Sequence, residues 1–296
     1  MYKVVQDILD VFDRDDIEEY PRATIDQALE HEKELTPHLI KILENVLRDP
    51  AAILSRERFF GHIFALNLLA HFRNLEAHET VVNLMSLPGD VVSDLFGDMV
   101  TEDFPRILYQ TCGSEYERIK GLILNKEAYE YVRGSAMKAI VFGVLLGDLP
   151  RSRALDFFGG LFTGNEAENS SYFWDGAASC VCDLYPEELL DTIKDAYNRG
   201  LIWPGYIGIE SFDSALSENR DDFLTKKRKR IESSIREDFH SYMSWWACFD
   251  KDVSASLGKG VDNKNHRPSS KGSNKKRKKK TRKRISKASR KKNRRR

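Results

Sequence analysis

The chain has 296 residues, 41% of them hydrophobic and 31% charged, and its 47 basic side chains nearly cancel its 46 acidic ones. The cancellation is uneven: Lys259–Arg296 holds 20 Lys and Arg against one Asp, Asp262, which leaves 27 basic and 45 acidic residues in positions 1–258. An acidic body joined to a cationic tail points to an anionic partner, while four cysteines in this length argue against a disulfide scaffold and for a reducing compartment.

Residues 1–16 mix acidic with apolar positions, unlike a secretory leader. The longest apolar run, 139–147, falls far short of the roughly 20 residues that span a bilayer. A soluble cytosolic protein without a membrane span is therefore expected.

Helical spacing of apolar residues begins at once, with Val4, Val5, Ile8, Leu9 and Phe12 on one side of a helix over 2–12. After an acidic connection, Pro21 suits the first turn of a helix running to about Glu34. A second helix is predicted from Thr36-Pro37, ending at Pro50. Short helices then recur with starts near Tyr2, Thr36, Ala77, Ser114, Pro150 and Pro186, at spacings of 34, 41, 37, 36 and 36 residues. Partner helices fall at about 21–34, 56–73, 127–147 and 170–184, with an interrupted stretch at 90–110. This period belongs to helical-hairpin solenoids, in which one hairpin cannot bury both faces and neighbours share a continuous core. Glu127–Ile140, with Arg133 among Gly134, Ser135 and Ala136, resembles the second helix of a HEAT-type repeat. The expected fold is all-α: a HEAT-like solenoid over 1–219, a long helix within 220–258 and a disordered tail over 259–296.

Gly200 is placed as the C-cap of the helix from Pro186, and residues 201–211 break the pattern and cap the stack. The last helix, about 220–250, carries one stripe: Phe223, Leu224, Ile231, Ile235, Phe239, Tyr242, Met243, Trp246 and Phe249. It is expected to dock on the last repeat, with a partner-binding groove element as the alternative.

Candidate chemistry is sparse. Cys180 and Cys182 sit two apart, about 200° around a helix, so one zinc cannot take both. His62, His71 and His78 have no carboxylate or thiol at ligand spacing and are expected on helix surfaces or at caps. Asp94, Asp98, Glu102 and Asp103 put carboxylates at four-residue steps, so one helical face could present three for a cation or for acid–base work. The plainer reading is a solvated acidic edge with Thr101 as a helix cap. No phosphate loop or nucleophile elbow occurs, so no cofactor and no catalytic residue is assigned. Lys226, Lys227, Arg228, Lys229 and Arg230 form a basic run that is either a solvated face or a second phosphate anchor.

The tail's densest bases are Lys275, Lys276, Arg277, Lys278, Lys279, Lys280, Arg282, Lys283, Arg284, Lys291, Lys292, Arg294, Arg295 and Arg296. The tail has no Phe, Trp or Tyr, so it offers no stacking platform for bases, and its composition is that of a disordered segment. Phosphate neutralisation with counterion release is the mode such a tail can use.

Tyr20-Pro21-Arg22, Leu35-Thr36-Pro37, the Gly97-Asp98 to Glu102-Asp103 stretch, and Tyr131-Val132-Arg133 with Ala136 resemble, in that order, the bacterial family called domain of unknown function 1186. The resemblance spans roughly 1–220 and implies an all-helical body with no established activity. Many members resemble this architecture followed by a SEC-C zinc motif of the form PCPCGSGKKYKKC. Residues 268–280 share its Gly272-Ser273, Lys275-Lys276 and Lys278-Lys279, but Ser269, Lys271 and Lys280 stand at cysteine positions, so no zinc is expected.

The expected function is a non-enzymatic interaction protein whose tail binds RNA, ribosomes or DNA and whose solenoid surface binds a protein partner. One alternative makes Lys275–Arg284 a nuclear-import address in a eukaryotic host cell. Another makes Asp94–Asp103 the centre of an enzyme.

Overall fold

Val5, Ile8 and Phe12 turn one face of α1 (Tyr2–Phe12) inward, as their spacing requires. It is the first of seventeen α-helices in a computed structural model that describes residues 2–56, 58–235, 238–244, 246 and 249, all within the unit Met1–Lys251. The chain is all-α, with no strand among the described residues. Next come α2 (Arg22–Glu30), α3 (Glu32–Arg48), α4 (Pro50–Ser55), α5 (Gly61–His71), α6 (His78–Met85), α7 (Gly89–Phe96), α8 (Met99–Glu102) and α9 (Phe104–Thr111). The second half holds α10 (Glu117–Leu124), α11 (Glu130–Leu146), α12 (Arg151–Gly159), α13 (Tyr172–Asp183), a 3-10 turn (Glu187–Leu189), α14 (Leu190–Asn198), α15 (Ile209–Leu216), α16 (Arg220–Ile235) and α17 (Phe239–Met243).

One row of helices carries the core: α3 packs on α5, α5 on α9, α9 on α11, α11 on α13 and α13 on α15. The members α5 and α11 are apolar on nearly every side because they have neighbours on nearly every side. All ten residues from Gly61 to Ala70 are buried. On α11, Gly134 lets α13 come close, since a Cβ there would lie 2.7 Å from Cε1 of Tyr172. The buried Arg133 beside it donates from Nε to Ile123 O (2.7 Å) and from Nη2 to Glu166 O (2.8 Å), with its guanidinium 3.9 Å above the Phe173 ring. Burial pulls its pKa down to about 10.

Hydrogen bonds between elements join residues at recurring separations. His78 meets Thr111 33 positions on (2.9 Å), and Arg106 Nη2 donates to Asn67 Oδ1 39 positions back (2.7 Å). Ser135 Oγ donates to Val100 O across 35 positions, and Arg199 Nη1 to Phe162 O across 37 (2.8 Å).

Two expectations for helix boundaries change. Thr36-Pro37 does not start a helix: α3 begins at Glu32, after a break at His31 (φ −115°, ψ 36°), and Pro37 lies inside it. Leu35, Leu39, Leu43 and Val46 form one buried stripe, and burying Leu35 with the others extends the helix through the proline. The loss is a single bond to the Lys33 carbonyl, against a cost of ~3 kcal/mol for an interior proline. Pro50 ends α3 as expected and also opens α4, where the Asp49 carboxylate accepts from Ala52 N (3.0 Å). The helix expected over 220–250 is not continuous: Asp238 is extended (ψ 136°), and its carboxylate accepts from Ser241 N (2.9 Å) to start α17 anew. Gly200 (φ +70°) does end α14, with Leu201 N bonded to Ala196 O and Gly200 N to Tyr197 O, a paired closure that favours glycine.

Candidate functional surfaces

The acidic stretch does not form one helical face. Gly97 (φ +55°) ends α7, so Asp94 lies on α7, Asp98 precedes α8, Glu102 ends α8 and Asp103 precedes α9. Thr101 is inside α8 rather than at a cap, its hydroxyl donating to Asp98 O (3.3 Å). Asp94, Asp98 and Glu102 are exposed, whereas Asp103 is buried. Burial raises the Asp103 carboxyl to about 7, with Arg106 pulling it down and Glu102 pushing it up. Burial, then the charge of Asp98, also raises Glu102.

Two of the three histidines lie in the interior, contrary to the surface expectation. His62 enters the packed row at the second residue of α5, its Nε2–H donating to Leu95 O (3.2 Å) and its ring stacked on Phe59 at 5.5 Å. His78 Nδ1–H donates to Thr111 Oγ1, whose own proton goes to Ile107 O. Burial lowers both imidazoles to about 4, so both are neutral. Their second nitrogens are buried with no hydrogen-bond partner among the described residues. His71, at the end of α5, is exposed as expected.

Cys180 and Cys182 are both buried on α13, and burial raises both thiols, Cys182 to about 11. Among the described residues no three His, Cys, Asp or Glu side chains gather as metal ligands, and no helix is long and apolar enough to cross a membrane.

The basic run sits on α16, and three of its members are engaged by the body. Lys226 pairs with Glu218 (2.5 Å), Lys227 with Asp183 (2.6 Å), and Arg228 Nε donates to Leu145 O (2.5 Å). Lys229 and Arg230 are exposed. Exposed pairs contribute only ~0–1 kcal/mol each, and Phe223 is the one buried residue of α16.

The aromatic stripe docks differently from the expectation. Phe223 lies edge-on to Tyr185 at 5.8 Å, just past the end of α13, while Leu224, Ile231 and Ile235 pack half-buried against the core. Beyond α16 the chain reaches the opposite end of the sequence. Phe239 sits edge-on to His71 (5.4 Å), and Phe249 packs with Tyr20 (5.5 Å), Phe60 (5.6 Å) and Phe64 (6.1 Å). His240 Nε2 donates to Asp26 Oδ1 (2.7 Å), and Nδ1 lies 3.0 Å from the Tyr20 hydroxyl, which donates to it when the imidazole is neutral.

Under Tyr242 lies a polar patch on α5 and α9. The Arg106 guanidinium is 4.2 Å from the centre of the Tyr242 ring and donates to Gln110 Oε1 (2.7 Å) and Asn67 Oδ1. Asn67 and Gln110 are buried. The hook that carries Phe239, His240, Tyr242, Met243, Trp246 and Phe249, and its receiving groove on α2, α5 and α9, are not singled out by the sequence as a joint site. The available signal was one Asn amid the apolar GHIFALNLLAH and an Arg–Gln pair within FPRILYQT.

The tail bases, Lys275 to Arg296, lie outside the described residues.

The chain is 30% identical over 225 residues to an uncharacterized protein of Chlamydia trachomatis serovar D, covering 76% of this chain and 89% of that one. A Chlamydia muridarum protein, also uncharacterized, is 32% identical over 221 residues, covering 75% and 84%. No solved structure matches. The family described as protein of unknown function (DUF1186) matches residues 4–250, which stops short of the stretch compared with the SEC-C motif. With that match over most of its length and two relatives at 30% and 32% identity covering three quarters of it, the chain belongs to the DUF1186 family.

Proposed function

We propose that this protein is a non-enzymatic helical-repeat adaptor whose basic tail binds a polyanion, RNA or DNA, by neutralising phosphates. The partition of charge carries the reading: 20 Lys and Arg against one Asp in 259–296, beside 45 acidic residues in 1–258. A tail without aromatic residues has no means of stacking on bases, so its affinity is electrostatic and sequence-tolerant. Lys226, Lys227 and Arg228 already have partners in the body, which favours the tail over α16 as the phosphate-binding element.

The body is a HEAT-like solenoid in this reading, supported by inter-element hydrogen bonds at separations of 33, 35, 37 and 39 residues. Successive helices then share a core and leave an acidic surface for a protein partner.

The test is recovery of nucleic acid with the tagged full chain from a lysate, with and without nuclease. The comparison is a variant in which Lys275–Lys280 and Arg282–Arg284 are replaced by Gln or Ser. Nuclease-sensitive nucleic acid on the parent and its loss from the variant are expected. Equal recovery from both sinks the reading.

A further inference from the structure

We infer that the groove on α2, α5 and α9 is a peptide-acceptor surface, occupied by the chain's own Phe239, Tyr242, Met243, Trp246 and Phe249 until a helical segment of the same pattern from another protein displaces them. This specifies the body's half of the reading above and does not involve the tail.

The occupant displays the recognition rule. Phe239, Tyr242, Met243, Trp246 and Phe249 fall at steps of three, four, seven and ten from the first, the spacing of a helix laid into a groove. Past α17, Trp246 N is bonded to Met243 O (3.2 Å) and Phe249 N to Trp246 O (2.9 Å). Phe239, Met243 and Phe249 are the buried anchors. The groove answers with rings of Tyr20, Phe60, Phe64 and His71 and with the Arg106 guanidinium beneath Tyr242.

Two observations make the occupant replaceable. Its tether, α16, buries only Phe223, with Leu224, Ile231 and Ile235 half-covered where it packs along α11, and its ion pairs to Glu218 and Asp183 are partly exposed. The fit is also imperfect, because the Tyr242 hydroxyl is buried with no hydrogen-bond partner among the described residues. A segment with Phe at that position would bury the ring without stranding a polar group. The partner inferred is therefore an amphipathic helix with large apolar residues at that spacing and a hydrogen-bonding residue, like His240, after the first anchor.

The experiment uses the full chain and a fluorescein-labelled synthetic peptide of residues 238–250, read by anisotropy. The peptide should bind a Phe239→Ala/Phe249→Ala full chain at least tenfold more tightly than the parent, whose own segment competes. A peptide carrying the same two substitutions should not bind. If the doubly substituted chain does not fold, hydrogen exchange on the parent decides: saturating peptide should deprotect the chain's residues 239–249 while α5 and α9 keep their protection. Equal binding by a folded variant and the parent, or unchanged exchange in 239–249, overturns the inference. A parent that sediments as a dimer and is dispersed by the peptide assigns the groove to a second copy, and also overturns it. Failure here leaves polyanion binding by the tail untouched.

Discussion

His240 Nε2 lies 2.7 Å from Asp26 Oδ1, a hydrogen bond between residues 214 positions apart. It ties the end of the folded body to its second helix, with Tyr20 on the other ring nitrogen. His240 is buried and Asp26 half exposed, so the two partners should respond unequally to substitution.

His240→Ala is expected to cost about 1–3 kcal/mol, because it deletes a buried ring and leaves the half-buried Tyr20 hydroxyl and Asp26 without their shared partner. Asp26→Ala should cost ~1 kcal/mol or less, as for a pair open to solvent on one side. In urea unfolding the double variant should fall short of the sum of the single losses, the sign of a coupled pair. Strict additivity would mean that this bond adds nothing in solution.

Asp103, His62 and His78 set opposing pH dependences. Asp103 has its pKa raised from an ordinary 3.8 to about 7, so its contribution is full below 3.8 and is lost as pH rises through 7. The two histidines are lowered from 6.5 to about 4, so their contribution is present above 6.5 and is lost as pH falls through 4. Asp103→Asn removes the first dependence and keeps the second. The variant should be more stable than the parent by about 1–3 kcal/mol at pH 8, with the advantage gone near pH 4. Thermal unfolding at the two pH values checks this.

Arg133→Lys is not a conservative change here. The guanidinium serves the buried Ile123 carbonyl and the half-buried Glu166 carbonyl and lies over the Phe173 ring, and an ammonium cannot do both. A loss of about 2–4 kcal/mol is expected from the unpaired acceptors and the lost stacking. Arg133→Met should cost a similar amount, because it restores volume but donates to neither carbonyl. Chemical denaturation of both variants measures this.

Much of the helical body is legible in the sequence because each helix declares itself locally. Residues 2–12 carry a clean amphipathic stripe, and Gly200 ends α14 where a positive φ is needed. Pro37 misleads because its local signal is outweighed by the buried stripe from Leu35 to Val46, a tertiary effect. His62 and His78 look like surface residues until α7 supplies Leu95 O and α9 supplies Thr111 Oγ1 as partners. The hook is the least legible feature. Its aromatic stripe is visible, but nothing local to Phe239 or Phe249 encodes that Tyr20, Phe60 and His71 receive them. The acidic stretch does not lie on one helical face because one glycine, Gly97, redirects the chain between Asp94 and Asp98.

The central claim is electrostatic binding through the tail, and the salt dependence of affinity tests it most directly. Affinity of the full chain for a single-stranded RNA, measured from 50 to 200 mM salt, should fall along a straight line in log K against log salt. With about 6–10 bases engaged, the slope is roughly −4 to −7. The chain ending at residue 258 should lose this binding. A slope near zero for the full chain, or an unchanged slope and affinity after the tail is removed, would contradict the account.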